Sequence, residues 1–363
     1  MEKYKGIDFV FSPSESEKAS ILILHGICEH SLRYSYLIKY LNNCGFTCAA
    51  VDHPGHGKQI EGSSDFARQL ESYERTEDKN LLLSSLKEAT ENSKKNFQTH
   101  FHKCSETLKL SEIIEFQKEF LSYLYEEGIF KKGTPLFLLG QSMGGLIAAH
   151  LSFAIDKSNY PFSGTVFLSP AFRPIATQQP GFINNIYYKI EETFLNKCWD
   201  ACMGKSPIFS NIILKLALTI NPPIDSGRAG DAISDIELVN DIFKNDPLVG
   251  KNISLRFLHS VLISMTQVMQ KAGDFSKPYL LLYGSEDQIV NSKGSKEFHD
   301  LSQQSSKKFA DSKAVCYENY FPHELYNSKK ENEVMQIIAD WIKALAASGS
   351  QSGKSCQQLN DVT

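Results

Sequence analysis

Short apolar runs punctuate the chain at 7–11, 21–24, 47–51, 136–139, 165–168, 279–283 and 314–317. Most are continuous rather than alternating, which is how a strand buried on both faces of a parallel sheet reads. Helical patterns fall between them, at 32–44, 110–127, 143–153, 294–304 and 332–347. Strand and helix in alternation predict an α/β fold with a doubly wound, mostly parallel sheet. Such a sheet binds its ligands at the carboxyl ends of the strands.

Two stretches break the alternation. Residues 60–108 are polar and charged, with Glu71, Glu74, Glu77, Asp78, Lys94, Lys95 and Lys103, and are expected to form a partly helical surface insertion. Within it, His100 and His102 lack a carboxylate or cysteine at metal-ligand spacing and read as solvated loop histidines. Residues 172–275 separate two core strands and carry Phe182, Ile186, Ile190, Phe194 and Trp199 at helical spacing. This stretch is expected to be a helical cap packed on the core, with Phe182, Ile186 and Trp199 offering peripheral contact to a membrane surface. The core then comprises 1–171 and 276–346, and the Ser- and Gly-rich end at 347–363 reads as a disordered tail.

Composition narrows the class. With 363 residues, 42% of them hydrophobic, the chain can bury a sizeable core. A formal net charge of −4 argues against an electrostatic grip on nucleic acid. No apolar stretch is long enough to span a bilayer, and the first residues lack the apolar segment of a signal peptide. Eight cysteines show no CxxC pair and no metal-type spacing. Free thiols in a cytoplasmic protein are the expectation.

Candidate chemistry begins where the run 136–139 ends. Gly140-Gln-Ser-Met-Gly144 follows it and leads into a helix, giving G-x-S-x-G in strand–turn–helix context, the nucleophile elbow of α/β-hydrolases. The turn is so tight that side chains at Gly140 and Gly144 would clash, and Ser142 stands at its tip. A serine hydroxyl is a poor nucleophile without an adjacent base, and in this fold an acid and then a histidine follow it in the chain. After the run 279–283, Glu286 and Asp287 both qualify as the acid. Asp287 is preferred, because Ile289 and Val290 can anchor its loop. His323 lies in a loop before the last helix and is the expected base, whereas His299 falls inside a helical pattern. The oxyanion hole needs two backbone donors, here expected at Met143 and Ile27. His25 is read as a structural side chain that shapes the loop carrying Ile27.

The motifs together resemble a known family, the monoacylglycerol lipases and related lysophospholipase-like serine hydrolases. They are His25-Gly-Ile-Cys-Glu-His-Ser-Leu-Arg-Tyr34, Asp52-His-Pro-Gly-His-Gly57, the elbow, Asn245-Asp-Pro-Leu248, Gly284-Ser-Glu-Asp-Gln-Ile-Val290 and Tyr320-Phe-Pro-His-Glu-Leu-Tyr-Asn327. The resemblance implies an α/β-hydrolase fold with a cap, and hydrolysis of a glycerol ester of one long acyl chain. It implies a small-molecule lipid ester as partner and neither cofactor nor metal. Glu29 and Arg33 match positions that the family places near the glycerol end, although an ordinary i,i+4 ion pair explains the same spacing. Gln141, Cys28 and the length of the 60–108 insertion depart from the family pattern. Lysophospholipase, short-chain esterase or thioesterase activity stays open, as do, more remotely, an aminopeptidase and a non-catalytic binding protein.

Overall fold

The computed structural model describes residues 2–155, 159–174, 218–221, 223–225, 232–304 and 311–357. Its strands are β1 (Glu2–Tyr4), β2 (Ile7–Ser12), β3 (Ala19–Leu24), β4 (Phe46–Ala50), β5 (Leu136–Gln141), β6 (Phe162–Leu168), β7 (Pro223–Asp225), β8 (Asn252–Ser254), β9 (Tyr279–Gly284) and β10 (Lys313–Tyr317). Eight of them form one sheet in the order β1-β2-β4-β3-β5-β6-β9-β10. β1, β2 and β4 pair antiparallel at one edge, and every other neighbouring pair in this sheet is parallel.

The helices are α1 (Ser35–Asn43), α2 (Ala67–Arg75), α3 (Lys79–Lys87), α4 (Glu91–Ser105), α5 (Leu110–Glu126), α6 (Met143–Ala154), α7 (Glu237–Asn245), α8 (Leu255–Gln270), α9 (Ser292–Gln303) and α10 (Glu331–Gln357). They cover both faces of the sheet. On one face, Ile21, Ile23, Phe137, Leu139, Leu280 and Leu282 pack with Leu37 and Leu41 of α1 and Ile338 and Ile342 of α10. On the other, Leu22, Leu24, Leu136, Leu138 and Leu281 pack with Phe120 of α5, Ile147 of α6 and Met265 of α8. Odd and even strand positions thus enter two different cores, and this is why the strands read as unbroken apolar runs.

Three segments differ from the sequence reading. The insertion 60–108 is mainly helical and is not confined to the surface. Phe66, Phe97 and Phe101 are all but fully buried in the main core. Phe97 and Phe101 stand one turn apart on α4, and burying a ring contributes roughly 1.5–3 kcal/mol, enough to dock a helix that is polar elsewhere. His100 and His102 accordingly lie on α4 rather than in a loop. The second segment is α8, which falls within 172–275 but packs against α5 and α6 as part of the core flank. Most of the expected cap helix, including Phe182, Ile186 and Trp199, lies outside the described residues. The third is α10, which continues to Gln357, past the expected end of order at 346. No proline stands in its way, and an established helix gains one hydrogen bond for each residue it recruits.

Candidate active site

β5 ends at Gln141 and α6 begins at Met143, so Ser142 alone makes the turn. Its backbone sits at φ 56° and ψ −119°, a conformation costing a non-glycine residue on the order of 1–3 kcal/mol. The neighbourhood enforces it. A Cβ on Gly140 would run into the backbone of Gly144, and one on Gly144 into the carbonyl of Leu24. The Ser142 amide donates to the Leu168 carbonyl (3.0 Å), and its carbonyl accepts from Ala171 (2.9 Å). Ser142 is 5% exposed at the carboxyl end of the sheet.

Asp287 and His323 meet in the loops after β9 and β10. The Asp287 Oδ2 lies 2.7 Å from His323 Nδ1, and both residues are buried. Asp287 Oδ1 accepts from the amides of Ile289 (2.8 Å) and Val290 (3.0 Å), which lock its rotamer. Ile289 and Val290 therefore anchor the loop through their backbone. Glu286 is exposed, so of the two adjacent acids only Asp287 is placed to orient the histidine. His299 hydrogen-bonds instead to the Tyr279 hydroxyl at 2.7 Å on the flank of the sheet. Burial by itself would lower the His323 pKa; the carboxylates of Asp287, Glu324 and Glu29 outweigh it and raise the pKa above the ordinary histidine value.

Gln141 joins the two halves. Its side-chain Nε2 donates to the His323 carbonyl at 3.0 Å, tying the residue before Ser142 to the histidine loop. The loop after β3 closes the third side. A Cβ on Gly26 would stand 3.3 Å from Ser142 Cβ, so Gly26 brings this loop and Ile27 against the turn that carries Met143. His25 has the structural part expected of it. Its Nδ1–H donates to the Gly26 carbonyl (2.8 Å), and its Nε2 accepts from the His53 amide (2.8 Å). Burial, then the neighbouring His56, pushes the His25 pKa well down, which keeps the ring neutral in this tautomer.

Glu29 and Arg33 do form the i,i+4 pair, Arg33 Nε to Glu29 Oε2 at 3.1 Å, but in a buried network. Glu29 Oε1 also accepts from the Gly26 amide and from the Tyr34 hydroxyl (2.8 Å). Arg33 donates to both oxygens of Glu324 at 2.7 and 3.0 Å and lies 3.9 Å from Asp246 Oδ2. Asp246 holds His30 Nε2 at 2.8 Å and the Tyr73 hydroxyl. Burial and the nearby Glu324 raise the Glu29 pKa against the opposing pull of Arg33. Arg33 thereby links the loop after β3 to the residue that follows His323.

The profile of a hydrolase family described as "Serine aminopeptidase, S33" matches residues 15–97 and 111–330. The chain belongs to this family. Monoglyceride lipase from Homo sapiens is 24% identical over 340 residues, covering 93% of this chain and 86% of the lipase. An uncharacterized abhydrolase domain-containing protein of Dictyostelium discoideum is 23% identical over 92% of this chain, which spans only 27% of that longer protein. Among solved structures, a soluble variant of monoglyceride lipase from Saccharomyces cerevisiae, in complex with a substrate analog, superposes with a TM-score of 0.63. It is 18% identical, with 95% of this chain and 93% of that chain covered. The protein is thus an α/β-hydrolase similar to monoglyceride lipases.

Within the serine aminopeptidase family fold, the sequence departures acquire physical meaning. Cys28 stands at φ 65°, in the left-handed region where glycine is the easy choice. The Gly250 amide donates to its carbonyl at 2.7 Å, which helps hold that conformation. Gln141 is the donor that fastens the histidine loop. The residues missed in the sequence are Glu324, Asp246 and Tyr73. Asp246 lay inside the quoted Asn245–Leu248 motif and Glu324 beside His323, but nothing local announced that one arginine would gather them.

Proposed function

We propose that this protein is a serine hydrolase that cleaves the carboxylic ester of a monoacylglycerol through an acyl-enzyme. The observation that carries the reading is the buried Asp287–His323 pair fastened by Gln141 to the strained Ser142 turn. In this reading His323 Nε2 takes the Ser142 proton as Oγ attacks the ester carbonyl. The amides of Met143 and Ile27 receive the developing oxyanion. His323 then protonates the leaving glycerol oxygen and activates a water that releases the fatty acid. Asp287 holds the tautomer and stabilises the imidazolium. Glu29 and Arg33 act as positioning residues for the two loops. The names of the human and yeast relatives support a monoacylglycerol substrate.

An aminopeptidase would need an acid free to receive the substrate ammonium. Glu29, the candidate, is buried and engaged with Arg33, Tyr34 and the Gly26 amide. This disfavours the peptidase reading despite the family's description.

The test is an alkyl fluorophosphonate, expected to label Ser142, together with a panel of monoacylglycerols, lysophospholipids and aminoacyl amides. Ser142→Ala should lower kcat on the preferred ester by about 10⁴–10⁶-fold; activity within tenfold of wild type would defeat the assignment. Among the described residues no helix is long and apolar enough to cross a membrane. We place the enzyme in the cytoplasm, touching membranes peripherally through Phe182, Ile186 and Trp199. Liposome co-sedimentation should fall when these three become Ser, and unchanged sedimentation would refute the contact.

A further inference from the structure

A cavity of about 850 Å³ lies between β2, α1, α7 and the insertion helices α2 and α3. Its volume falls within the range of about 300–1,000 Å³ usual for small-molecule sites. Val10, Phe11, Leu32, Tyr73, Leu82 and Ile242 give it apolar walls. Its charged lining is lopsided, with Arg33, Lys39, Arg75 and Lys79 against the single acid Glu77. None of Ser142, Asp287 and His323 lines it.

We propose that this cavity is a second, non-catalytic site that binds a single-chain carboxylate, with the alkyl chain along the apolar walls and the head group among Lys39, Arg75 and Lys79. These cations have acidic partners. Lys39 pairs with Glu77, Arg75 with Glu71 (2.7 Å) and Lys79 with Glu331 (3.0 Å). The first two pairs are well exposed, and such pairs contribute about 0–1 kcal/mol. A ligand carboxylate can therefore displace Glu77 or Glu71 at small cost, while the cavity removes its alkyl chain from water. A neutral amphiphile would gain the second contribution only.

The cavity also touches the machinery from behind. Arg33 and Asn327 both line it. Both donate to Glu324, Arg33 at 2.7 and 3.0 Å and Asn327 at 2.9 Å. Glu324 follows His323 directly, so an occupant presses on the two side chains that hold the residue next to the proposed base. The choice of carboxylate rests on the proposed function, whose product is a fatty acid.

The experiment starts with the full-length enzyme treated with dodecyl fluorophosphonate and checked by mass for modification at Ser142. Failure to label would count against the proposed function; the titration would then use Ser142→Ala, and the cavity would still be tested. Dodecanoate is titrated calorimetrically below its micellar concentration. The expected result is one equivalent bound per chain, with dodecanol at least about tenfold weaker. Ser12→Trp, which fills the cavity from β2, should abolish binding. Lys39→Glu combined with Arg75→Glu, on the exposed rim, should weaken it by about tenfold or more and still decides the matter if Ser12→Trp fails to fold. No binding to the labelled enzyme, unchanged binding in the rim variant, or equal affinity for dodecanol would overturn the proposal.

Discussion

Two buried ionic clusters lie side by side at the carboxyl end of the sheet, and they are built differently. The Asp287–His323 pair is short-range in construction. Asp287 is locked by the amides of Ile289 and Val290, two and three residues along, and makes one side-chain bond to His323. The Arg33 cluster draws Glu29, Asp246 and Glu324 from three separate segments onto one guanidinium. In the first, a carboxylate orients a single ring. In the second, the charged groups are engaged with one another, and what they hold is the relative position of two loops. Ionisable groups equally deep in the protein are thus built in two ways, and the difference lies in how many segments each cluster ties together.

The largest effect that would separate the clusters is on turnover. Asp287→Asn should lower kcat by about 10⁴-fold by analogy with other triads, while leaving urea unfolding nearly unchanged, since the amide can still accept from Ile289 and Val290. Arg33→Met should act the other way round. It strands Glu29 and Glu324 in the interior and should destabilise the fold by roughly 3–5 kcal/mol in urea titration. A loss below about 1 kcal/mol would show that the cluster is not a structural hub. The smallest and most selective effect is expected from Glu324→Gln. Its carboxylate helps raise the His323 pKa, so removing the charge should lower that pKa. The base must be neutral to act, so the acidic limb of kcat/KM should move to lower pH, while stability falls by less than in Arg33→Met because Glu29 and Asp246 still face the guanidinium. A limb that stays in place, or moves to higher pH, would separate Glu324 from the chemistry.

Legibility in the sequence followed the range of the interactions. The turn at Ser142 was readable because everything it needs lies within a few residues: a buried strand, two glycines with no room for a Cβ, and a helix start. Glu286 and Asp287 were harder, since adjacent acids share one composition and one loop. The bond from the Glu286 amide to the Tyr320 carbonyl (3.1 Å) sets the path of the loop, and the Ile289 and Val290 amides turn Asp287 inward. The insertion was misjudged because its many charges mask two aromatic rings one helical turn apart, and those rings suffice to bury a face of α4.

The chain by itself determined a mostly parallel sheet, seven of its eight strands, and the tight turn at Ser142. These follow from periodicity and from steric demands that act over a few residues. Only the tertiary structure decided that Glu29 and Arg33 face inward, that Glu324 and Asp246 join them, and that the insertion helices α2 and α3 wall a cavity beside β2. Arg33 and Glu324 lie 291 residues apart, and no local pattern encodes a contact made only when the sheet brings its loops to one end.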